Sequence, residues 1–182
     1  MNLPQQLQEY LNYPKLQLID ANSSLPEDEL IFDPLTQAVL ITFLAGLFKA
    51  TRSKEAAAVI STHVNAQQLL ADIFINEDDV INTITAYCNQ PYSVVKEKLD
   101  ETSTGYFAFV QLQLQGTDEI KKEDYLHNLM TAQRNEILKY LHPNLKLGDL
   151  LNDQALEDNT NKMEGPISSL MHKIENAFSK SD

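Results

Sequence analysis

The sequence predicts an all-α protein, an orthogonal multi-helix bundle of about seven to nine helices. Three observations predict it. Apolar residues recur at three- and four-residue spacing in most segments between residues 34 and 141. Helix-start residues (Asn2, Asp33, Ser53, Asn65 and Asn76) stand just before those segments or before the first one. Only Tyr106 to Leu114 alternates as a strand does, and no second strand is available to pair with it.

The elements follow in order. Asn2 before Leu3-Pro4 is a cap with proline in the first turn, and Leu3, Leu7, Tyr10 and Leu11 fall on one stripe of a helix over 2–13. Residues 14–32 lose periodicity; Pro14, Pro26 and the acids Glu27-Asp28-Glu29 read as a long connection. Asp33-Pro34 is the clearest start signal, opening a helix over 34–51 that is apolar on most faces and is therefore expected at the centre. Gly46 inside it costs about 1 kcal/mol against Ala, which close approach of another helix would offset. Ser53 caps a helix over 54–62, and Asn65 with Gln68 opens one over 66–75 carrying Leu69, Leu70, Ile73 and Phe74. Asn76 with three acids after it starts a helix over 77–89, favoured by the macrodipole. A helix over 92–115 follows, with Gly105 as its candidate kink, then one over 118–141 ended by His142-Pro143. A short helical turn lies between Leu145 and Leu151. A polar stretch, 152–165, leads to a last amphipathic helix over 166–179, with Ile167, Leu170, Met171, Ile174 and Phe178 on one face.

These elements divide the chain into three parts. Residues 1–32 are an N-terminal helix and connection packed on the domain, 33–152 the helical core, and 153–182 a polar loop and amphipathic helix. The core is expected to draw on Phe43, Leu44, Leu47, Phe74, Ile81, Ile84, Leu99, Phe109, Leu129 and Ile137.

Composition narrows the function. The 182 residues are 43 % hydrophobic and 22 % charged, as in a globular domain. A net charge of −12 opposes binding to nucleic acid or an anionic membrane, because such binding needs Lys and Arg to neutralise phosphates, and the basic residues here are scattered among acids. No transmembrane segment is expected: the most apolar run, Ala38–Phe48, falls short of the ~20 residues that span a bilayer. The N-terminus lacks the basic and apolar regions of a secretory signal, so the expected compartment is the cytoplasm. One cysteine excludes an intrachain disulfide framework and a thiolate zinc cluster, and five glycines leave little room for a phosphate loop.

Reactive constellations are sparse. The four histidines stand in no ligand spacing, and no cation neighbours Cys88 in sequence to make a thiolate of it. The 149–164 stretch offers hard oxygen ligands for a divalent cation, chiefly Asp153, Glu157 and Asp158. It lacks the alternate acids and central glycine of a calcium loop, so a capped, solvated loop is the plainer reading. Arg134 is a candidate clamp for an anion, against the commoner role of a structural ion pair.

Four further stretches carry a resemblance. They are Phe43-Leu44-Ala45-Gly46-Leu47, the small-residue segment Thr51-Arg52-Ser53-Lys54-Glu55-Ala56-Ala57, the turn Asp72-Ile73-Phe74-Ile75-Asn76 and the helix Val94-Val95-Lys96-Glu97-Lys98-Leu99. With them the region from about Gln37 to Thr117 resembles the YidB-like proteins, a bacterial helical family known as domain of unknown function 937. It departs from the family pattern in lacking glycine-rich stretches and an Asp-Gly-Asp-Gly segment. The resemblance implies an all-helical fold and carries over no activity and no catalytic residue.

The function these readings support is a non-enzymatic protein-interaction or scaffold module without a cofactor. It would engage a protein partner, or itself, through Ile167, Leu170, Met171, Ile174 and Phe178. The rival arrangement packs that helix back on its own domain. The alternative function is a small-molecule or divalent-cation binder, and so an enzyme candidate, using the acidic 149–164 loop and Arg134. A third reading is peripheral membrane contact through the last helix.

Overall fold

A computed structural model describes residues 2–19, 33–62, 65–113, 119–153 and 156, without the side chains of 119–123. The described residues form eight α-helices and one 3₁₀ turn, with no strand among them. The fold is an all-α bundle, as the periodicity predicts.

Its centre is α2 (Pro34–Ala50), in which every residue from Leu35 to Phe48 is buried. An unbroken buried run of that length has to be covered on all sides. Six helices pack against it: α1 (Leu3–Tyr10), α4 (Ala66–Ile73), α5 (Glu77–Cys88), α6 (Tyr92–Gln113), α7 (Glu119–Leu138) and α8 (Leu147–Leu151). The remaining helix, α3 (Lys54–Ser61), packs on α7. All ten residues expected in the core are buried. Leu3 and Leu7 from one end of the described chain, and Leu151 and Leu156 from the other, belong to the same hydrophobic cluster.

Side-chain caps set four of the helix starts. Asn2 accepts from Gln5 N, Asp33 from Leu35 N, Ser53 from Ala56 N and Asn65 from Gln68 N. Asn76 behaves differently: its amide donates to Asp79 Oδ2 at 2.6 Å and takes no backbone N–H. A carboxylate at the third helical position is a stronger acceptor than an amide oxygen, and it draws the amide into the donor role. The ends of α1 to α5 and of α7 fall one to three residues short of the periodic pattern. α4 stops at Ile73, with Phe74 extended, and α7 stops at Leu138, whose carbonyl accepts from Leu141 N in a tight turn before Pro143. The 3₁₀ turn Pro143–Leu145 and α8 occupy the predicted short turn.

Two helical glycines, Gly46 and Gly105, mark close approaches. An ideal Cβ on Gly46 would lie 2.6 Å from Phe74 Cε1, so the end of α4 is the element that needs this glycine. At Gly105 the structure changes the expectation. The helix runs on through it, and a Cβ there would collide with the Leu11 side chain. The glycine makes room for the N-terminal segment and does not break the helix.

Polar stitches fix that segment. Gln37, buried on α2, accepts from Gln17 N at 2.7 Å and donates to Gln17 O at 2.9 Å and Tyr140 O at 3.1 Å. Gln133 accepts from Leu3 N at 2.8 Å. Each buried amide satisfies backbone groups that would otherwise lose water without compensation.

Candidate functional site

Several ionisable residues in the described part are engaged in the fold. Asp153 is only 6 % exposed, and its carboxylate accepts from the Arg52 guanidinium while its backbone N–H donates to Gly148 O at 2.8 Å. Arg52 in turn lies over the Phe48 ring at 5.1 Å. The Asp153 proposed as an oxygen ligand is thus the acid that ties the end of α8 to the end of α2. Glu157 and Asp158, the other two ligand candidates, lie outside the described residues, as do Ile167, Leu170, Met171, Ile174 and Phe178. Arg134 is half-buried on α7, with its guanidinium 3.4 Å from Asn135 Oδ1. Glu136, near it in sequence, pairs with Lys139 at 2.6 Å and accepts from Asn2 at 3.0 Å. No group of three or more His, Cys, Asp or Glu residues able to hold a metal ion occurs among the described residues.

Burial is the largest cause of the shifts at Cys88, His142 and Tyr13. Cys88, half-buried on α5, has its thiol pushed up to about 11 by desolvation and then by Asp33. That disfavours the thiolate and agrees with the reading of a small packed side chain. Burial lowers the pKa of His142, whose ring lies 5.2 Å from Tyr87. His127 Nδ1 sits 3.0 Å from Thr51 O, linking α7 to the end of α2. Tyr13 is pushed up to about 12 by burial, and its hydroxyl pairs with Thr102 Oγ1 at 3.0 Å.

Two concavities stand out among the described residues, and neither was visible in the sequence. The first is an apolar notch between α3, α4, α6 and α7, lined by Ile60, Leu69, Tyr106, Phe107, Val110 and Leu126. It encloses about 30 Å³, room for roughly two water molecules, so it admits the tip of one side chain. The Tyr106 hydroxyl is buried and has no hydrogen-bond partner among the described residues.

The second concavity is larger, at about 200 Å³, and lies where α2, the α4–α5 connection and α8 meet. Ile73, Phe74, Val80, Leu150 and Leu151 give it apolar walls. Lys49 at the end of α2 and Asp79 at the start of α5 place opposite charges on different walls, and Asn152 forms part of its lip. Lys49 Nζ donates to Leu151 O, which holds α8 in place as the floor. Ile75, on the short connection after α4, completes the wall while 93 % exposed. Periodicity counts Ile75 into the preceding helix. Because α4 ends at Ile73, the side chain leaves the apolar stripe and stands in solvent.

Comparison with known proteins leaves the geometry to speak for itself: no family model, no curated protein and no solved structure matches the chain. No helix of the described residues is long and apolar enough to cross a membrane.

Proposed function

We propose that this chain is a non-enzymatic protein-interaction module, whose contact element is the amphipathic segment 166–179. One observation carries the proposal. Ile167, Leu170, Met171, Ile174 and Phe178 share a helical face, and they follow the point where the described chain is already anchored. Asp153 is held by Arg52 and Leu156 is buried, so the stripe begins beyond a fixed end of the bundle. An amphipathic helix laid in an apolar groove is a common mode of partner recognition, and Met suits an adaptable contact. The location we propose is cytoplasmic, from the sequence reading.

The test compares the full chain with one lacking 163–182, in capture from the native cell and in light scattering for self-association. The expected result is loss of partner or dimer in the shortened chain, with helical circular dichroism and a cooperative melt retained. Equal association by both chains overturns the proposal. So does a shortened chain that no longer melts cooperatively, because the segment would then be core.

A further inference from the structure

We infer that the cleft walled by Ile75 is the intramolecular seat of segment 166–179, which rests there when no partner holds it. This goes beyond the function proposed above, since the segment could bind a partner without having a seat on its own domain.

Position supports it first. Leu151 and Asn152 line the cleft, and the chain continues from that lip. Leu156 N donates to Asp153 O at 2.9 Å, so the chain is still turning close to the lip when it reaches its last described residue. From there to Ile167, the first residue of the stripe, run the ten residues 157–166. Fully extended they would reach about 35 Å, and as a coil roughly 17 Å. The tether therefore spans the cleft with slack. A tether this short gives an effective concentration in the mM range, which favours the chain's own cleft over that of a second copy.

Chemistry supports it next. Ile75 and, in part, Leu150 offer exposed apolar surface to an apolar stripe, over a base closed by the buried Ile73, Phe74 and Val80. Successive residues on a helix are about 100° apart, so Lys173 and Glu175 leave on opposite flanks of Ile174. Asp79 of α5 and Lys49 of α2 both line the cleft, so each of those two side chains has an opposite charge within it. Seating the helix would also cover Ile75, the most exposed of the large hydrophobic side chains described.

Hydrogen exchange on the full-length chain, read over residues 167–178 at several dilutions, tests this. A lone helix of this length is marginal in water, so strong protection requires docking. The expected result is exchange at least tenfold slower than for an unstructured peptide, independent of protein concentration. Ile75→Asp and, separately, Ile174→Asp should each abolish the protection. Ile75 is exposed on a connection, so Ile75→Asp should keep a cooperative melt and a strongly protected α2, with the melting temperature lower only by the few degrees that undocking costs, which separates loss of the seat from loss of the fold. Three results would overturn the inference: unprotected exchange in the unmodified chain, protection that survives Ile75→Asp, or protection that fades on dilution, which would assign the contact to a second copy.

Discussion

Tyr13 and Tyr106 show how the same side chain has opposite worth in two buried places. Both rings are in the core, and Tyr106 meets Phe43 edge-on at 5.3 Å between centroids. The Tyr13 hydroxyl has Thr102 at 3.0 Å, and that threonine also donates to Lys98 O at 2.8 Å, so a satisfied chain of polar groups crosses from the N-terminal segment to α6. The Tyr106 hydroxyl has been taken out of water with no partner among the described residues. Removing each oxygen should therefore act in opposite directions. Tyr13→Phe should cost about 1 kcal/mol in urea unfolding, and Tyr106→Phe should raise stability by up to ~1 kcal/mol. A Tyr106→Phe variant as destabilised as Tyr13→Phe would show that the Tyr106 hydroxyl has a partner.

At the scale of elements, Gly46 and Gly105 separate rigid contacts from yielding ones. Alanine gains about 1 kcal/mol over glycine in a helix interior, which favours both substitutions. At Gly46 the added methyl meets the Phe74 ring, which is buried against α2 and cannot withdraw. Overpacking of that kind costs typically ~1–3 kcal/mol, so Gly46→Ala should be destabilised on balance. At Gly105 the obstacle is the end of the Leu11 side chain, partly exposed and free to change rotamer. Gly105→Ala should stay within about 1 kcal/mol of the parent. Thermal melts of the two variants check this, and a larger loss at Gly105 would reverse the assignment. The same residues show what was legible in advance. Caps and three-four spacing place the helices, because those are local properties of the chain. They also mark Gly46 as a point of close approach. They cannot say that Phe74 fills it, or that Leu11 lies on Gly105, because each partner is brought there by packing of segments far apart in sequence. The cleft was hidden for the same reason: its walls come from α2, α4–α5 and α8, and Ile75 reads as one more apolar residue until α4 is seen to stop two residues earlier.

For the whole molecule, the buried titrating groups set how stability depends on pH. Cys88 ionises near 9.0 when exposed and near 11 in the fold, and Tyr13 near 10.0 when exposed and about 12 in the fold. Burial raises Tyr87 and Tyr106 as well. A group raised in the folded state gives up its proton first in the unfolded chain, so its contribution is intact below the unfolded pKa and drains away as pH rises toward the folded one. Loss should begin near pH 9 through Cys88 and steepen above pH 10 through the tyrosines. His142 acts at the other end: burial lowers its pKa from 6.5, so its contribution is present above that value and is lost on acidification. A plateau between about pH 7 and 9 follows, judged from these groups alone. The net charge of −12 grows more negative over the same alkaline range, and self-repulsion would also destabilise the fold there. Salt separates the two causes, because it screens exposed charges over a Debye length of about 10 Å at 0.1 M but does not restore water to a buried group. Urea midpoints measured from pH 6 to 11 in low and in molar salt should keep most of their alkaline fall in both. In Cys88→Ala the plateau should extend to about pH 10, where the tyrosines begin to ionise in the unfolded chain. An alkaline fall abolished by salt, or the same onset with and without the thiol, would show that repulsion between surface carboxylates, and not the release of buried protons, limits the fold at high pH.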